Sequence, residues 1–245
     1  MRQGLWAGPI PLFAATRHWI MNELGLTALG TPIAPSIAFV GPDGVGKSTI
    51  IDLVTKEVRQ ALPFNTTHLR HWRPQLIPPL AKFIGKPIPR AGLANPPRRK
   101  VGHFAVLRLI YYAFDFILGS CFKDKPRRAF NELIIYDRCA LDMLVDPLRF
   151  GLPDARGSEC LYKISPKHDL VILLKDTPER IFSRKSELSL TEIENQFNEW
   201  NRLYHEKKIH AVVNVGCGPE TATKIVISLI HKATVQRLGL AEQKV

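Results

Sequence analysis

Residues 36–49, Ser-Ile-Ala-Phe-Val-Gly-Pro-Asp-Gly-Val-Gly-Lys-Ser-Thr, constrain this chain more than any other stretch. An apolar run from Ile37 to Val40 ends in Gly41-x-x-x-x-Gly46-Lys47-Ser48. An amphipathic helical pattern follows (Ile50, Ile51, Val54, Val58, Leu62) until Pro63 closes it. Strand, glycine-rich turn and helix in that order is the context in which this pattern holds phosphate. Gly41, Gly44 and Gly46 allow a tight turn whose N–H groups point inward. The helix after it aims its positive end at the same place. Lys47 supplies a mobile cation for β- and γ-phosphates, and the Ser48 hydroxyl suits Mg²⁺. With Asp43, Val45 and Thr49 these residues form a nucleotide-contacting loop, and ATP with Mg²⁺ is the expected ligand.

Length and composition narrow what surrounds that loop. The chain has 245 residues, 45% of them hydrophobic, enough for one large α/β core and a small appendage. A net charge of +12 predicts attraction to anions. The aromatics are not interleaved with the basic runs, so stacking platforms for nucleic acid are not expected. Cys121, Cys139, Cys160 and Cys217 form no C-x-x-C pair, which argues against a disulfide framework or a zinc site and for a reducing compartment. The longest apolar stretch, residues 106–122, carries Arg108 and Asp115, so a membrane span is not expected. The apolar start is broken by Pro9 and Pro11, unlike an export signal, and a cytoplasmic location is expected.

Taken in order, residues 1–35 read as an N-terminal helical appendage, with an amphipathic helix around 13–26, and residues 36–245 as the catalytic domain. Residues 64–71 form a second strand. A Pro-rich loop, residues 74–97, reads as a substrate-side lid or binding loop. Residues 101–122 form a long helix whose buried face is predicted to be Phe104, Leu107, Leu109, Ile110, Phe114, Ile117 and Leu118. Leu133-Ile-Ile-Tyr136 is a continuous apolar strand, as in a parallel sheet, and runs into Asp137-Arg138. A carboxylate at that strand end sits over the phosphate loop, where it can hold Mg²⁺ through water or orient a nucleophile. Asp142 and Asp146 share a helix face ended by Pro147, facing either a substrate hydroxyl or solvent. Residues 169–174 form the next strand, with Thr177 capping a helix that carries Arg180 and Arg184 on one face. These two suit arginine fingers supplied in cis. A closing strand at 211–215 leads to Gly216-Cys-Gly218-Pro219, where a purine would rest, and to a final helix.

Together these features resemble the thymidylate kinase family over about residues 35–237. The carriers are Gly41-Pro-Asp43-Gly-Val-Gly-Lys-Ser-Thr, Asp137-Arg138, and the 169–174 strand with Thr177-Pro178-Glu179 and the basic residues behind it. The segment Asp146-Pro-Leu-Arg149-Phe150 is similar to thymidylate kinase-like proteins of polysaccharide gene clusters. The resemblance implies a three-layer α/β/α fold of the phosphate-loop NTPase class with a five-stranded parallel sheet. It also implies Mg²⁺-ATP as donor and phosphoryl transfer to a nucleoside monophosphate, dTMP in the family. It assigns Asp43 to the acceptor sugar, Arg138 to acceptor or transferring phosphate, and Arg184 to the lid. A homodimer through the helix at 101–122 is an option that the resemblance raises, a core role being the other reading of that face.

Three departures bear on the acceptor. Cys139 stands where the family places an aromatic residue, and Arg70-His-Trp-Arg73-Pro74 replaces its Arg-Glu-Pro-Gly signature. The family's phosphate-binding arginine is absent from Tyr111-Tyr-Ala-Phe-Asp115. A carboxylate in place of that arginine favours a neutral, hydroxyl-bearing acceptor, so a nucleoside or sugar kinase and a regulatory ATP-binding module are the alternatives. Catalysis is expected from Lys47, Asp137, Arg138 and Arg184, metal binding from Ser48 and Asp137, and nucleotide contacts also from Arg180 and Gly218. Acceptor contacts are expected from Asp43, Arg73, Tyr112, Asp115, Arg138 and Asp142.

Overall fold

The computed structural model describes residues 34–77, 105–152, 155–185 and 188–237. Five strands, β1 (Ser36–Val40), β2 (Thr66–His71), β3 (Glu132–Asp137), β4 (Leu170–Lys175) and β5 (Ala211–Asn214), lie in one sheet in the order β2-β3-β1-β4-β5. Every pairing is parallel. The central strands are apolar because both faces are covered. Ile37 and Phe39 pack on one side, and Ala38 and Val40 on the other.

Helices supply the two outer layers. Helix α1 (Lys47–Ala61) buries Ile50, Ile51, Val54 and Val58, one stripe at helical spacing, against the first face. Next come α2 (Ala105–Gly119), a π-turn at Ser120–Asp124, α3 (Lys125–Ala129), α4 (Asp142–Val145) and α5 (Ala155–Ile164). The chain closes with α6 (Pro178–Arg184), α7 (Leu190–His205) and α8 (Pro219–Arg237). Helix α7 begins in a capping box between Ser189 and Glu192 and lays Trp200 and Leu203 on the second face. This is the expected α/β/α architecture. The carboxyl ends of β1, β3 and β4 are adjacent, so the loops that follow them converge on one crevice.

The long helix is turned differently from its predicted phase. Leu107, Ile110, Phe114 and Ile117 are 54, 48, 54 and 43% exposed, while Tyr111, Tyr112, Asp115 and Phe116 face inward. The helix rotates to bury Asp115, whose carboxylate finds partners inside. Phe104, the 1–33 part of the appendage and most of the 74–97 loop lie outside the described residues.

Candidate active site

The phosphate loop joins β1 to α1 and owes its shape to glycine. Gly41 has φ 139°, and a Cβ there would come within 2.7 Å of the Leu174 carbonyl oxygen on β4. Gly46 caps α1 at φ 99° with open space where its Cβ would be, so a phosphate meets backbone there and no side chain. Val45, fully buried, anchors the loop, and Ser48 and Thr49 are exposed on the first turn of α1. The first-turn N–H groups of α1 have no intrahelical carbonyl to meet, which makes them anion donors. Lys47 is 7% exposed and folds back on its own loop, donating to the Gly41 oxygen at 2.8 Å and the Pro42 oxygen at 2.7 Å. Burial, helped by Arg138, brings its pKa down from 10.5 to about 7.

Asp43 ties this loop to the turn after β3 and the segment after α4. Its carboxylate pairs with Arg138 through one oxygen and with Arg149 through the other, and lies 4.0 Å from the Lys47 ammonium. Burial alone would raise its pKa, but Arg138, Lys47 and Arg149 overcome that and hold it well below the usual carboxylate range. The other arm of Arg138 donates to Asp142 Oδ1 at 2.8 Å, and Asp142 Oδ2 accepts from the Cys139 amide at 3.0 Å. Arg138 sits at φ 75°, a left-handed conformation that costs a non-glycine residue about 1–3 kcal/mol. Its backbone N–H donates to the Phe39 oxygen at 2.9 Å, so the sheet holds the strained turn in place.

Asp137, at the end of β3, is the candidate metal-side carboxylate. Oδ2 lies 3.4 Å from His71 Nδ1, while Oδ1 is buried without a hydrogen-bond partner among the described residues. Burial raises its pKa, but His71, Lys47 and Arg138 reverse this and lower it. An ionised, under-satisfied oxygen beside a phosphate loop, with the Ser48 hydroxyl on the next turn, fits a divalent cation. Among the described residues no three His, Cys, Asp or Glu side chains gather as a ready-made metal cage. The donor set therefore suits an ion that brings phosphate oxygens and waters with it.

The segment after β2 packs in an aromatic cluster. Trp72 packs edge-on against Tyr112 and Phe116, at ring separations of 4.9 and 5.8 Å, and lies 5.0 Å from Phe150. Arg73 and Asp115 are brought together at 2.7 Å, and Asp115 is 0% exposed. The Asp115 carboxylate also accepts from the amides of Gln75 (3.1 Å) and Ile77 (2.8 Å), so it fixes the 73–77 segment from beneath. These two residues pair with each other and hold that segment. The one basic side chain of α2, Arg108, donates to the Gly151 oxygen at 2.9 Å.

On the nucleotide side, α6 lies directly against the phosphate loop: a Cβ on Gly44 would sit 3.1 Å from Lys185 Cβ. Thr177 caps α6, as its sequence suggests. Arg184 reaches Asp176 at 2.9 Å and Arg180 reaches it at 3.6 Å, both arginines being largely exposed. Arg180 Nη1 also lies 3.5 Å from the Gly216 oxygen, two residues before Gly218. Asp146 Oδ1 accepts from the Arg149 amide at 3.2 Å and lines a crevice with Gly41, Arg138 and Asp142.

Three residues of this arrangement were not expected from sequence, and of them Trp72 stood unassigned beside Arg73. Arg149 carried a signal in the Asp-Pro-x-Arg-Phe segment, but its partner lies 106 positions away. Asp176 stood in the turn after β4 with no mark beyond its place before Thr177-Pro178, and it pairs with both Arg180 and Arg184.

No family model matches the chain, and no curated protein does. Among solved structures, thymidylate kinase from Ehrlichia chaffeensis is similar, with a TM-score of 0.53 at 13% identity. The match covers 81% of this chain and 100% of that one. The fold is thymidylate-kinase-like. At this identity the likeness concerns the fold alone.

Proposed function

We propose that this protein is an ATP-dependent kinase that moves the γ-phosphoryl group of Mg²⁺-ATP to a small-molecule acceptor, a nucleoside monophosphate of the dTMP type by resemblance. One observation carries the reading: Asp43, inside the phosphate loop, joins Lys47 to Arg138 and Arg149 on the acceptor side. A loop that only stored nucleotide would have no need of acceptor-side arginines drawn into it.

In this reading the acceptor oxygen attacks the γ-phosphorus as the bond to the β–γ bridging oxygen breaks, and ADP leaves with that oxygen. Charge on the three equatorial oxygens is met by Lys47, the α1 N-terminus, Arg138 and Arg184, which leaves Asp176 to close over the nucleotide. Ser48 and Asp137 would hold Mg²⁺, which neutralises β- and γ-phosphate charge when bound. A phosphate acceptor has no proton to lose. A hydroxyl acceptor would give its proton to Asp137, whose Oδ1 has no hydrogen-bond partner among the described residues, while Asp43, held by two arginines, would orient it. Half-buried Trp72 offers its ring to a base with Tyr112 packed behind it, and Arg73 and Asp115 act as positioning residues. Four free cysteines suit the cytoplasmic location we propose.

The second reading, a nucleoside or sugar acceptor, is favoured by the inward face of α2, whose Tyr111, Tyr112, Asp115 and Phe116 include no cation for an acceptor phosphate. ADP release from Mg²⁺-ATP against dTMP, other nucleoside monophosphates, nucleosides and sugars separates the two. Stimulation by dTMP supports the first, stimulation only by a neutral acceptor the second. A flat panel with bound nucleotide would overturn both in favour of a regulatory ATP-binding module.

A further inference from the structure

The sheet face opposite α1 carries a cavity of about 220 Å³ that the kinase reading does not use. It opens among the turn after β3, the end of α5, the start of β4 and the turn after α7. No phosphate-loop residue lines it. Cys139, Tyr162 and Val171 form an apolar inner wall. Lys167, Lys207, Lys208 and His210 stand around it.

The cations converge on one ring. Lys167 Nζ lies 3.3 Å from the Tyr162 ring centroid and Lys208 Nζ lies 5.5 Å from it. Lys208 pairs with Glu206 at 2.5 Å, and Lys167 donates to the Tyr162 carbonyl oxygen. One carboxylate beside three lysines leaves an excess of positive charge, and burial together with the Lys208 ammonium depresses Lys167. His210 Nδ1 accepts from the Val171 amide at 3.0 Å, which leaves Nε2 to carry the proton as a further donor. His168 also lines the cavity, and its Nδ1 is 2.9 Å from Ser36 Oγ.

We infer that this cavity is a second binding site, for a small aromatic phosphate or carboxylate, independent of the kinase reading. Because Lys167 covers the Tyr162 ring, the ligand's flat ring lies against the apolar side chains of Cys139, Leu141 and Val171, and its anion meets Lys167, Lys208 and His210 Nε2. The volume falls below the about 300–1,000 Å³ of pockets for drug-sized ligands, which points to a fragment-sized occupant and not a nucleotide.

Phenyl phosphate is the probe, titrated calorimetrically into the full chain, with inorganic phosphate and phenol as controls. We expect phenyl phosphate to bind more tightly than either control, equally well to wild type and Lys47→Ala. We expect it to bind about tenfold or more weakly to the double variant Lys167→Glu/Lys208→Glu, whose ATP affinity stays unchanged. Loss of binding in Lys47→Ala, or no change in the double variant, overturns the site and leaves the kinase reading untouched. Amide shifts of the wild-type protein give a test that needs no variant. Perturbation centred on Cys139, Val171 and Lys208 supports the site, and perturbation centred on residues 41–48 overturns it.

Discussion

Arg149, after α4, forms an ion pair with Asp43 in the phosphate loop across 106 positions of sequence. Asp43 is 13% exposed and shares its two oxygens between Arg149 and Arg138, so one carboxylate links the phosphate loop to both arginines. Asn at position 43 keeps the shape and removes the charge that two guanidiniums face. We expect Asp43→Asn to lower stability by about 1–3 kcal/mol in urea denaturation. The folded pKa lies below the ordinary 3.8, so the contribution is full above that value and declines as pH falls beneath it. The variant should therefore show a shallower loss of stability with acidification than wild type. Arg149→Ala should raise the acceptor KM about tenfold while leaving the ATP KM within about twofold. Equal effects on both would sever Arg149 from the acceptor.

Lys47 gives a pH signature of its own. Burial leaves the folded side chain near pKa 7, against 10.5 when unfolded. Between those values the unfolded chain holds a proton that the folded one lacks, so the Lys47 contribution to stability increases as pH rises through that window. Nucleotide phosphates favour the ammonium, so ATP binding near pH 8 should take up close to one proton. Calorimetry in buffers of different ionisation enthalpy measures it, and Lys47→Met should abolish the uptake. Lys47→Ala should cost about 10³-fold in turnover with the fold intact by circular dichroism.

How much of this was legible depended on how local each signal is. The β1–loop–α1 unit announces itself in consecutive residues, and β3 and β4 are unbroken apolar runs ending in Asp137 and near Asp176. Helix α2 was legible as a helix but not in phase. Between Val106 and Leu118 only Arg108 and Asp115 are charged, so an all-round apolar helix offers no polar face to orient it. Asp115 read as an acceptor-side group because its partners, Arg73 and two amides, lie about forty positions away. The Asp43–Arg149 pair was hidden for the same reason: nothing in either neighbourhood names the other.

The buried Arg73–Asp115 pair bears on stability and on acceptor binding at once. Arg73 and Asp115 are 6 and 0% exposed, so removing one charge strands the other in a low-dielectric interior. Asp115→Asn should destabilise the fold by about 3 kcal/mol, and a double replacement, Arg73→Met with Asp115→Leu, should recover much of that loss. Kinetics tests the positioning role. At a temperature where Asp115→Asn is folded, the acceptor KM should rise while the ATP KM stays constant. Unchanged acceptor kinetics would confine the pair to stability.

The exposed arginines of α6 should behave in the opposite way. Arg184 and Arg180 are 47 and 58% exposed, and both lean on Asp176, which is buried at the end of β4. Solvent screens such contacts, so Arg184→Ala should change stability by no more than about 0.5 kcal/mol. If Arg184 leaves Asp176 to meet the transferring phosphoryl group, its removal should lower kcat by about 10²-fold or more, with a small change in ATP KM. Arg180, which also contacts the Gly216 carbonyl, should show the reverse split, a higher ATP KM and a kcat reduced less than tenfold. Asp176→Asn tests the tether directly. Freed from their carboxylate, the two arginines should bind nucleotide with a steeper dependence on salt, because the phosphates become their main counter-charge. A salt dependence identical to wild type would mean that Asp176 merely shapes the turn before α6 and that the arginines are held by something else.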